Sequence, residues 1–129
     1  MANDSTICPF CNIPEERIIS SNEDGCIIRD GFPITPGHTL IVSQRHIESW
    51  FSLSEKEKLN LMNLLTYAQK DLEIELSPNG FNVGINDGQT AGQTIPHVHI
   101  HLIPRYKGDL EDPRGGIRNI IPAKAKYWK

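Results

Sequence analysis

The sequence predicts an α+β domain in which one antiparallel sheet of about five strands packs against one long helix, with one or two short helices besides. Residues 97–103 alternate polar and apolar side chains between prolines at positions 96 and 104, which is typical of a half-buried strand. Leucine and alanine recur every three or four residues from position 61 to 76, which indicates an amphipathic helix. Strand patterns lie on both sides of this helix, and that order favours an α+β domain with a single sheet.

The segment before the helix is predicted to supply three strands. Asp24-Gly25 favours a tight hairpin turn, because such turns need positive φ values. Two prolines and two glycines within residues 31–37 exclude a regular strand, so this stretch is predicted to be a loop. Short helical turns are expected at residues 13–17 and 47–51, and residues 1–6 are expected to form a flexible end. The three predicted strands are 18–20, 26–30 and 39–43.

The long helix has predicted borders at both ends. Ser54 and Glu57 match a capping box, in which each side chain accepts a hydrogen bond from the backbone N–H of the other residue. Residues 77–80, with the sequence Ser-Pro-Asn-Gly, are predicted to end the helix. Its apolar face is predicted to consist of Leu61, Leu65, Ala68, Leu72 and Leu76.

Residues 81–86 alternate apolar and small or polar side chains and are predicted to form a strand beside the 97–103 strand. The loop between them, residues 87–92, is rich in glycine, so a ligand's phosphates can approach its backbone. Neither the P-loop spacing nor the glycine pattern of dinucleotide-binding folds occurs in the chain. A nucleotide is therefore not expected to be held as in those folds.

Length and composition predict a single globular domain over residues 1–129. A chain of 129 residues is long enough to bury a core, and 38% hydrophobic with 22% charged residues is ordinary for a folded protein. No apolar run approaches the roughly 20 residues that span a bilayer, and no signal peptide is recognised. We therefore expect a cytoplasmic protein without a membrane partner.

The formal net charge of −3 hides an asymmetry along the chain. Residues 1–104 carry six Lys or Arg against thirteen Asp or Glu, whereas residues 105–129 carry seven against three. The overall balance does not favour long nucleic acid as a partner. The basic C-terminal segment either lies near the phosphates of a small anionic ligand or is a solvated lysine-rich terminus.

Three cysteines are an odd number, which excludes a complete disulfide framework and fits a reducing compartment. Cys8 and Cys11 form a Cys-x-x-Cys in residues 7–11, a spacing that lets two thiolates bind one zinc ion. Alone, this pair is half a site. Cys26 is expected to pack as a small apolar residue.

His97, His99 and His101 are predicted to share one face of their strand, because successive strand side chains point to opposite faces. The apolar residues between them are predicted to anchor the other face in a core. Side chains at this spacing lie about 6.6 Å apart, which is awkward for three ligands of one metal with bonds of about 2 Å. A nucleophilic imidazole with two helpers fits the spacing better, and three exposed histidines on an ordinary strand are the alternative.

This run of histidines, with apolar residues between and after them, resembles the motif of the histidine triad (HIT) nucleotide hydrolases and transferases. Residues 91–94, Ala-Gly-Gln-Thr, resemble the branch that cleaves diadenosine polyphosphates. The resemblance covers most of the chain and implies a HIT-like fold. The other matching segments are Pro36-Gly37-His38-Thr39-Leu40, Arg45-His46, Pro104-Arg105 and Gly108-Asp109.

The resemblance implies a catalytic role for each histidine of the triad. His99 is expected to attack the α-phosphorus of a nucleotide and to carry the nucleotidyl group until water removes it. Its ring must be neutral and in one tautomer, so a backbone carbonyl is expected to accept a hydrogen bond from its other nitrogen. His97 and His101 are expected to order that ring and to donate to phosphate oxygens. His38 is expected to be a buried, hydrogen-bonded histidine near the site.

The resemblance also implies further contacts to the nucleotide. Gln93 and Thr94 are expected to hydrogen-bond phosphate oxygens, although many relatives carry serine where this chain has Thr94. Asp30 is expected to bind the ribose hydroxyls and Asn86 to contact phosphate or ribose. A turn former and a strand-end cap are the alternative roles of these two residues. The expected nucleotide-binding residues are Asp30, Asn86, Gln93, Thr94, His99 and His101.

A structural zinc ion is a separate expectation. Some relatives hold zinc through a Cys-x-x-Cys, a histidine after the second core strand and the first histidine of the triad. Cys8, Cys11, His46 and His97 occupy these places, and such a set of four ligands is a closed, structural site. Two reduced thiols without a metal are the alternative. No organic cofactor is implied.

The basic C-terminal segment has two possible roles under this resemblance. Its cationic residues either steady a polyphosphate or lie in a subunit interface, since the family usually pairs as a twofold homodimer. These candidates are Arg105, Lys107, Arg114 and Arg118.

The predicted function is hydrolysis of dinucleoside polyphosphates through a nucleotidyl-His99 intermediate, with an AMP-containing nucleotide as substrate. A nucleoside phosphoramidase or a phosphorylase uses the same chemistry and is the first alternative. A purine-nucleotide-binding protein without catalysis is the alternative from another class.

Overall fold

Five antiparallel strands and one long helix form the regular structure of residues 8–129, the part of the chain that the computed structural model describes. Residues 1–6, predicted to be a flexible end, lie outside the described residues. So does residue 7, the first residue of the 7–11 segment that contains the Cys-x-x-Cys. The strands pair in the order β1-β2-β3-β5-β4, and every pair is antiparallel. This confirms the predicted α+β class. The elements are β1 (Ile18–Ser21), β2 (Gly25–Arg29), β3 (Thr39–Ser43), α1 (Glu55–Leu76), β4 (Gly80–Gly84) and β5 (His99–Arg105).

The histidine strand is shifted relative to its prediction. We expected residues 97–103 with Pro104 as the end, but β5 begins at His99 and includes Pro104, which pairs with Phe81. The pairing of β5 with β3 ends at Leu102, so from there β5 has a neighbour on one side only. Such an edge position tolerates a residue without an N–H. The prediction that Pro104 closes the strand was therefore wrong.

One other predicted strand border and the predicted number of short helices also differ from the structure. Strand β4 covers Gly80–Gly84 instead of residues 81–86, because the chain leaves the sheet at Ile85, which packs against the core. The one or two short helices expected were too few, because 3-10 turns need only local hydrogen bonds and carry no apolar period that a sequence reveals. In the described part of the chain they are Glu15–Arg17, Trp50–Ser52, Gln89–Ala91, Gly116–Ile120 and Pro122–Lys124.

Helix α1 begins with the predicted capping box, since Ser54 Oγ accepts from the N–H of Glu57 and the Glu57 carboxylate accepts from the N–H of Ser54. It ends at Ser77, whose left-handed φ of 47° stops the helical path. The apolar face differs at its end, because Leu76 is 36% exposed. The buried residues of the helix are Leu61, Leu64, Ala68 and Leu72.

The two faces of the sheet have different coverings. One face packs against α1, and its buried residues include Ile27, Ile41, Val98, Ile100 and Leu102. The opposite face carries a second cluster that extends to the N-terminal turn and contains Cys26, Ile28, Leu40 and Val42 with Phe10, Ile13 and Ile18. Cys26 is buried there, as predicted, and burial raises the pKa of its thiol. We call this second cluster the turn-side patch.

Strand register places two histidines on the turn-side face. His99 pairs with Val42 and His101 with Leu40, and side chains of directly opposed residues share a face. The helix side therefore supplies the main core, and the opposite side is where chemistry is possible. Among residues 8–129, no helix has the length and apolarity needed to cross a membrane.

Candidate active site and metal group

The histidines of the triad lie on one side of the sheet, as predicted. The ring of Phe10, from the N-terminal turn, meets His97 edge-on with centroids 5.9 Å apart and His99 with centroids 4.9 Å apart. The rings of His99 and His101 follow at 5.2 Å. The apolar residues that alternate with the histidines are buried in the core on the helix side.

One ring nitrogen of His99 is fixed by the backbone. Its Nδ1 lies 2.8 Å from the carbonyl oxygen of His97. A carbonyl only accepts hydrogen bonds, so the hydrogen-bond network assigns the proton of a neutral ring to Nδ1 and the lone pair to Nε2. Within residues 8–129, no protein group hydrogen-bonds this Nε2. The expected backbone acceptor is confirmed, and the ring presents the free lone pair that a nucleophile needs.

The tautomer of His101 is set by a chain of three groups. The backbone N–H of Ile34 donates to His38 Nδ1 at 3.2 Å, so a neutral His38 carries its proton on Nε2. That Nε2 lies 3.0 Å from His101 Nδ1, which can therefore only accept. The proton of a neutral His101 is then on its own Nε2. The triad thus offers a lone pair on His99 and an N–H on His101.

Asp30 joins this chain from the end of β2. Its Oδ1 accepts from the N–H of Phe32 at 2.8 Å, and its Oδ2 lies 3.3 Å from His38 Nε2. His38 is 4% exposed, so it is the buried, hydrogen-bonded histidine that we expected. Burial lowers the pKa of His38, and the charge of Asp30 opposes that shift.

His101 is neutral at physiological pH. Burial is the main reason that its pKa falls to about 4; the neighbouring His99 and His38 also lower the pKa, and Asp30 opposes them. A neutral ring with a fixed tautomer can donate one hydrogen bond without adding a positive charge. That property suits a group that contacts phosphate oxygens.

Gln93 is placed differently from our expectation. Its side chain braces a loop, because Oε1 accepts from the N–H of Gly88 at 2.8 Å and Nε2 donates to the carbonyls of Glu48 at 2.9 Å and Ile95 at 3.1 Å. Both amide donors and the acceptor thus have partners within the protein. The side chain offers no unused donor in this conformation.

Thr94 and Asn86 are exposed, and neither side chain forms a hydrogen bond within residues 8–129. Both remain free to contact a ligand. An open cavity of about 480 Å³ lies nearby in the chain. No triad histidine lines it. The candidate site is therefore defined by the hydrogen bonds of the histidines and not by this cavity. The cavity is lined by Ile47, Glu48, Ser49, Ser52, Asp87, Gly88 and Gln93.

The four expected metal ligands come together beside the triad. The shortest separation joins Cys11 Sγ and His46 Nδ1 at 3.1 Å, and His46 Nδ1 lies 3.2 Å from His97 Nδ1. Cys8 Sγ and Cys11 Sγ lie 3.4 and 3.6 Å from His97 Nδ1. All four ligand atoms are within 4.8 Å of one another. We call these four residues, Cys8, Cys11, His46 and His97, the metal group.

This geometry fits a tetrahedral metal ion. With bonds of about 2.3 Å to sulfur and 2.0 Å to nitrogen, the ligand atoms of a tetrahedral zinc site lie about 3.3 to 3.8 Å apart. His97 Nε2 lies 2.7 Å from the carbonyl oxygen of Ser43, so its proton is on Nε2 and the lone pair of Nδ1 faces the other ligands. Burial and the neighbouring Cys8 thiol together raise the pKa of the Cys11 thiol to about 11. A raised pKa favours the protonated thiol, whereas a cation bound to the four ligands would favour the thiolate.

The position of His97 limits its part in catalysis. One of its nitrogens is held by Ser43 and the other faces the metal group, so neither is directed to a phosphate. Its carbonyl instead orients His99.

A second group of potential ligands does not fit a metal. Asp30, His38 and His101 also have ligand atoms within 4.8 Å of one another. However, Ile34 N–H occupies the lone pair of His38 Nδ1, which leaves a proton, and no lone pair, on His38 Nε2. This group is a hydrogen-bonded chain, whereas the cysteine-containing group is suited to a cation.

The arginines of the C-terminal segment are engaged within the chain. Arg105 makes two hydrogen bonds to the carboxylate of Asp109 and one to Asn82. Arg114 pairs with Asp112 and stacks on Trp128, with its guanidinium 4.4 Å from the ring centroid. Arg118 donates to the carbonyls of Lys124 and Ala125, while Lys107 is exposed. The three arginines of this segment therefore have partners within the chain, and no sequence pattern predicted these pairs.

Three participants were missed by sequence reasoning. They are the Phe10 ring beside His99, the Ser43 carbonyl on His97 and the Ile34 N–H on His38. Two of these are backbone groups, which every residue carries, so no residue type marks them. Phe10 had one usable signal, since an aromatic residue between two metal-ligating cysteines must lie close to whatever the metal group touches.

The HIT domain family model matches residues 12–108. The uncharacterized HIT-like protein SSO2163 of Saccharolobus solfataricus is 36% identical over 122 residues, which cover 92% of this chain and 85% of that protein. The chain therefore belongs to the HIT family, and its structure has the fold of that family. This family membership makes it a nucleotide-processing enzyme in the broad sense.

Two relatives are named for an activity. The asymmetrical bis(5'-nucleosyl)-tetraphosphatase of Schizosaccharomyces pombe is 41% identical over 80 residues, which are 62% of this chain and 44% of that protein. The AP-4-A phosphorylase of Mycobacterium tuberculosis is 32% identical over 111 residues, which are 78% of this chain and 55% of that protein. The aligned regions thus span about half of each of these relatives.

A solved structure bears on the metal group. The Zn-bound histidine triad family protein from Mycobacterium smegmatis superposes with a TM-score of 0.73 at 30% identity, covering 82% of this chain and 80% of that chain.

The lowered pKa of His101 predicts how stability depends on pH. Its value is 6.5 in the unfolded chain and about 4 in the fold, so between these values the unfolded chain binds more protons. The free energy of unfolding should therefore rise as the pH increases from 4 to 6.5, and His38 adds to this trend. Urea unfolding at several pH values should show a shallower rise for His101→Gln, whose amide cannot be protonated. Equal slopes for the two proteins would contradict the assignment.

Proposed function

We propose that this protein hydrolyses dinucleoside polyphosphates through a nucleotidyl intermediate on His99 Nε2. The observation that carries the proposal is the hydrogen bond from His99 Nδ1 to the carbonyl of His97, which leaves Nε2 with an unused lone pair. The similarity to the S. pombe tetraphosphatase supports this choice of substrate class.

The reaction takes two displacements. The lone pair of His99 Nε2 attacks the α-phosphorus, so that a P–N bond forms and the P–O bond to the leaving nucleotide breaks. Negative charge grows on the phosphate oxygens, and the Nε2–H of His101 is the fixed donor available to it. Water then attacks the same phosphorus, breaks the P–N bond and loses a proton, which releases the mononucleotide and restores the neutral ring.

The remaining nucleotide contacts follow from placement. Asp30 lies beside the His38–His101 pair, where its carboxylate can accept hydrogen bonds from ribose hydroxyls. Thr94 and Asn86 are exposed, and their side chains have no hydrogen-bond partner among the described residues 8–129, so we assign them to phosphate or ribose. Gln93 contributes through the loop that it braces, by holding backbone groups in place.

A phosphorylase is the second candidate, and the similarity to the M. tuberculosis AP-4-A phosphorylase favours it. The first displacement is the same, and inorganic phosphate replaces water in the second. A phosphoramidase uses the same nucleophile on a P–N bond of the substrate. Product analysis with and without inorganic phosphate distinguishes these reactions.

We also propose that the cysteine and histidine group holds a structural zinc ion. Four ligands from three segments of the chain close the site, so the ion would supply stability and no open coordination position. The Zn-bound relative from M. smegmatis supports the choice of metal. Free thiols persist in a reducing compartment, which fits the cytoplasmic location that we propose.

A homodimer is the proposed assembly. Strand β4 is at one edge of the sheet, and its Val83 is half exposed, as are apolar residues of the 116–121 segment near it. Exposed apolar side chains along an edge strand are a common interface. Sedimentation equilibrium should give twice the mass of 14.5 kDa, and a concentration-independent mass of one chain would contradict the dimer.

His99→Ala should abolish hydrolysis of diadenosine tetraphosphate, because the nucleotidyl group then has no acceptor on the enzyme. His101→Ala should retain measurable turnover, since it removes only a donor. Mass spectrometry of wild-type protein quenched during turnover should show one added AMP on the peptide that contains His99. Full activity of the His99→Ala variant, or tight AMP binding by the wild type without any turnover of di- or mononucleotide substrates, would overturn the proposal.

Zinc should be present at about one ion per chain by elemental analysis. Cys11→Ser should lower that content strongly, whereas Cys26→Ala should retain it, because Cys26 lies outside the group. Chelation should lower the melting temperature of the wild type. Equal zinc content in the two variants would contradict the site.

A further inference from the structure

We infer that Phe10 is a positioning residue for the nucleophile and that the metal-binding turn determines where Phe10 lies. The inference rests on the proposed roles of His99 and of the metal group. It adds a physical link between them, through which occupancy of the metal group sets the orientation of the attacking ring.

The ring of His99 is flanked on two sides. Phe10 meets it at 4.9 Å with an interplanar angle of 66°, and His101 meets it at 5.2 Å with an angle of 63°. The hydrogen bond to the His97 carbonyl fixes one atom of the ring, but a single hydrogen bond leaves the ring free to tilt about that atom. The two edge-on neighbours restrict the tilt. They therefore determine where the lone pair of Nε2 points.

Phe10 belongs to a turn whose ends are the two thiol ligands. The N–H of Cys11 donates to the carbonyl of Cys8 at 3.1 Å, so Phe10 sits inside a closed loop. Its ring packs on the turn-side patch and also meets the ring of His97 edge-on, with the ring centroids 5.9 Å apart. A cation that binds both thiols and His97 joins this turn to the segment that leads directly into β5. Without the cation, the turn loses that attachment.

His97 forms the second link from the same group. Its Nδ1 faces the thiols, while its carbonyl accepts from His99 Nδ1. Two of the three supports of the nucleophilic ring thus originate in residues tied to the metal group: the carbonyl of a ligand and an aromatic ring between two ligands. Loss of the metal should loosen the two supports together.

A positioning defect has a distinct kinetic outcome. If the ring tilts, fewer bound substrates reach an in-line geometry, but their contacts with the rest of the site persist. We expect Phe10→Leu to lower kcat about tenfold with KM changed less than about twofold. Phe10→Tyr keeps the flat ring and should restore most of the rate.

The test uses the full-length protein labelled with ¹⁵N-histidine. The Nδ1–H proton of His99 should be visible in the metal-loaded wild type, because its hydrogen bond to a carbonyl slows exchange. Chelation of the wild type should broaden or remove this signal. Phe10→Leu should do so while the zinc content, measured by elemental analysis, stays that of the wild type.

Ile18→Ala is the matched control. Ile18 packs on the same turn-side patch from β1 but lies outside the turn, so its loss costs packing without freeing the ring. Circular dichroism shows whether each variant folds. The control should keep both the His99 signal and kcat, and a loss equal to that of Phe10→Leu would reduce the effect to general packing and overturn the inference.

Other outcomes are equally decisive. A metal-loaded Phe10→Leu protein with an unchanged signal and kcat overturns the role of Phe10. A chelated wild type with an unchanged signal, or a wild type that binds no metal, overturns the role of the turn. The signal does not depend on turnover, so a wild type that shows the predicted responses but hydrolyses no nucleotide disproves the proposed function and leaves the positioning role intact.

Discussion

The arrangement of the site depends on one residue, His97, whose backbone and side chain serve different partners. Its carbonyl accepts from the nucleophilic ring of His99, and its own ring bridges the Ser43 carbonyl and the metal group. The side chain is fully buried, so an unpaired ring nitrogen there would cost about 1 to 3 kcal/mol. The two ring nitrogens and the carbonyl oxygen of His97 therefore each serve a different partner. A rotation of the residue would break several of these contacts at once.

Backbone groups fix the direction of the protons throughout the site. A carbonyl oxygen cannot donate and a backbone N–H cannot accept, so each imposes one tautomer on the imidazole that it contacts. The carbonyl of His97 does this for His99, and the N–H of Ile34 does it for His38 and, through that ring, for His101. His99 therefore presents a lone pair on its Nε2 and His101 presents an N–H on its Nε2, although both residues are histidines. Side-chain partners, which can change protonation, would not secure that difference.

The sheet separates stability from chemistry. Its helix side is a continuous apolar core, while its other side combines the turn-side patch with imidazoles and thiols. Because alternate residues of β5 point to opposite sides, one strand serves both purposes. The apolar set anchors the strand, and this anchoring holds the histidines at fixed separations on the other side.

The sequence by itself determined what repeats along neighbouring residues: the alternation of β5, the apolar period and capping box of α1, the Cys-x-x-Cys and the family motif. Tertiary structure decided what joins distant segments. His38 meets His101 63 positions away, Phe10 meets His99, and Gln93 braces a loop instead of facing a ligand. Local patterns report burial and backbone geometry, because these repeat with the period of a strand or helix. Partners across the sheet depend on register and turn paths, which no local pattern contains.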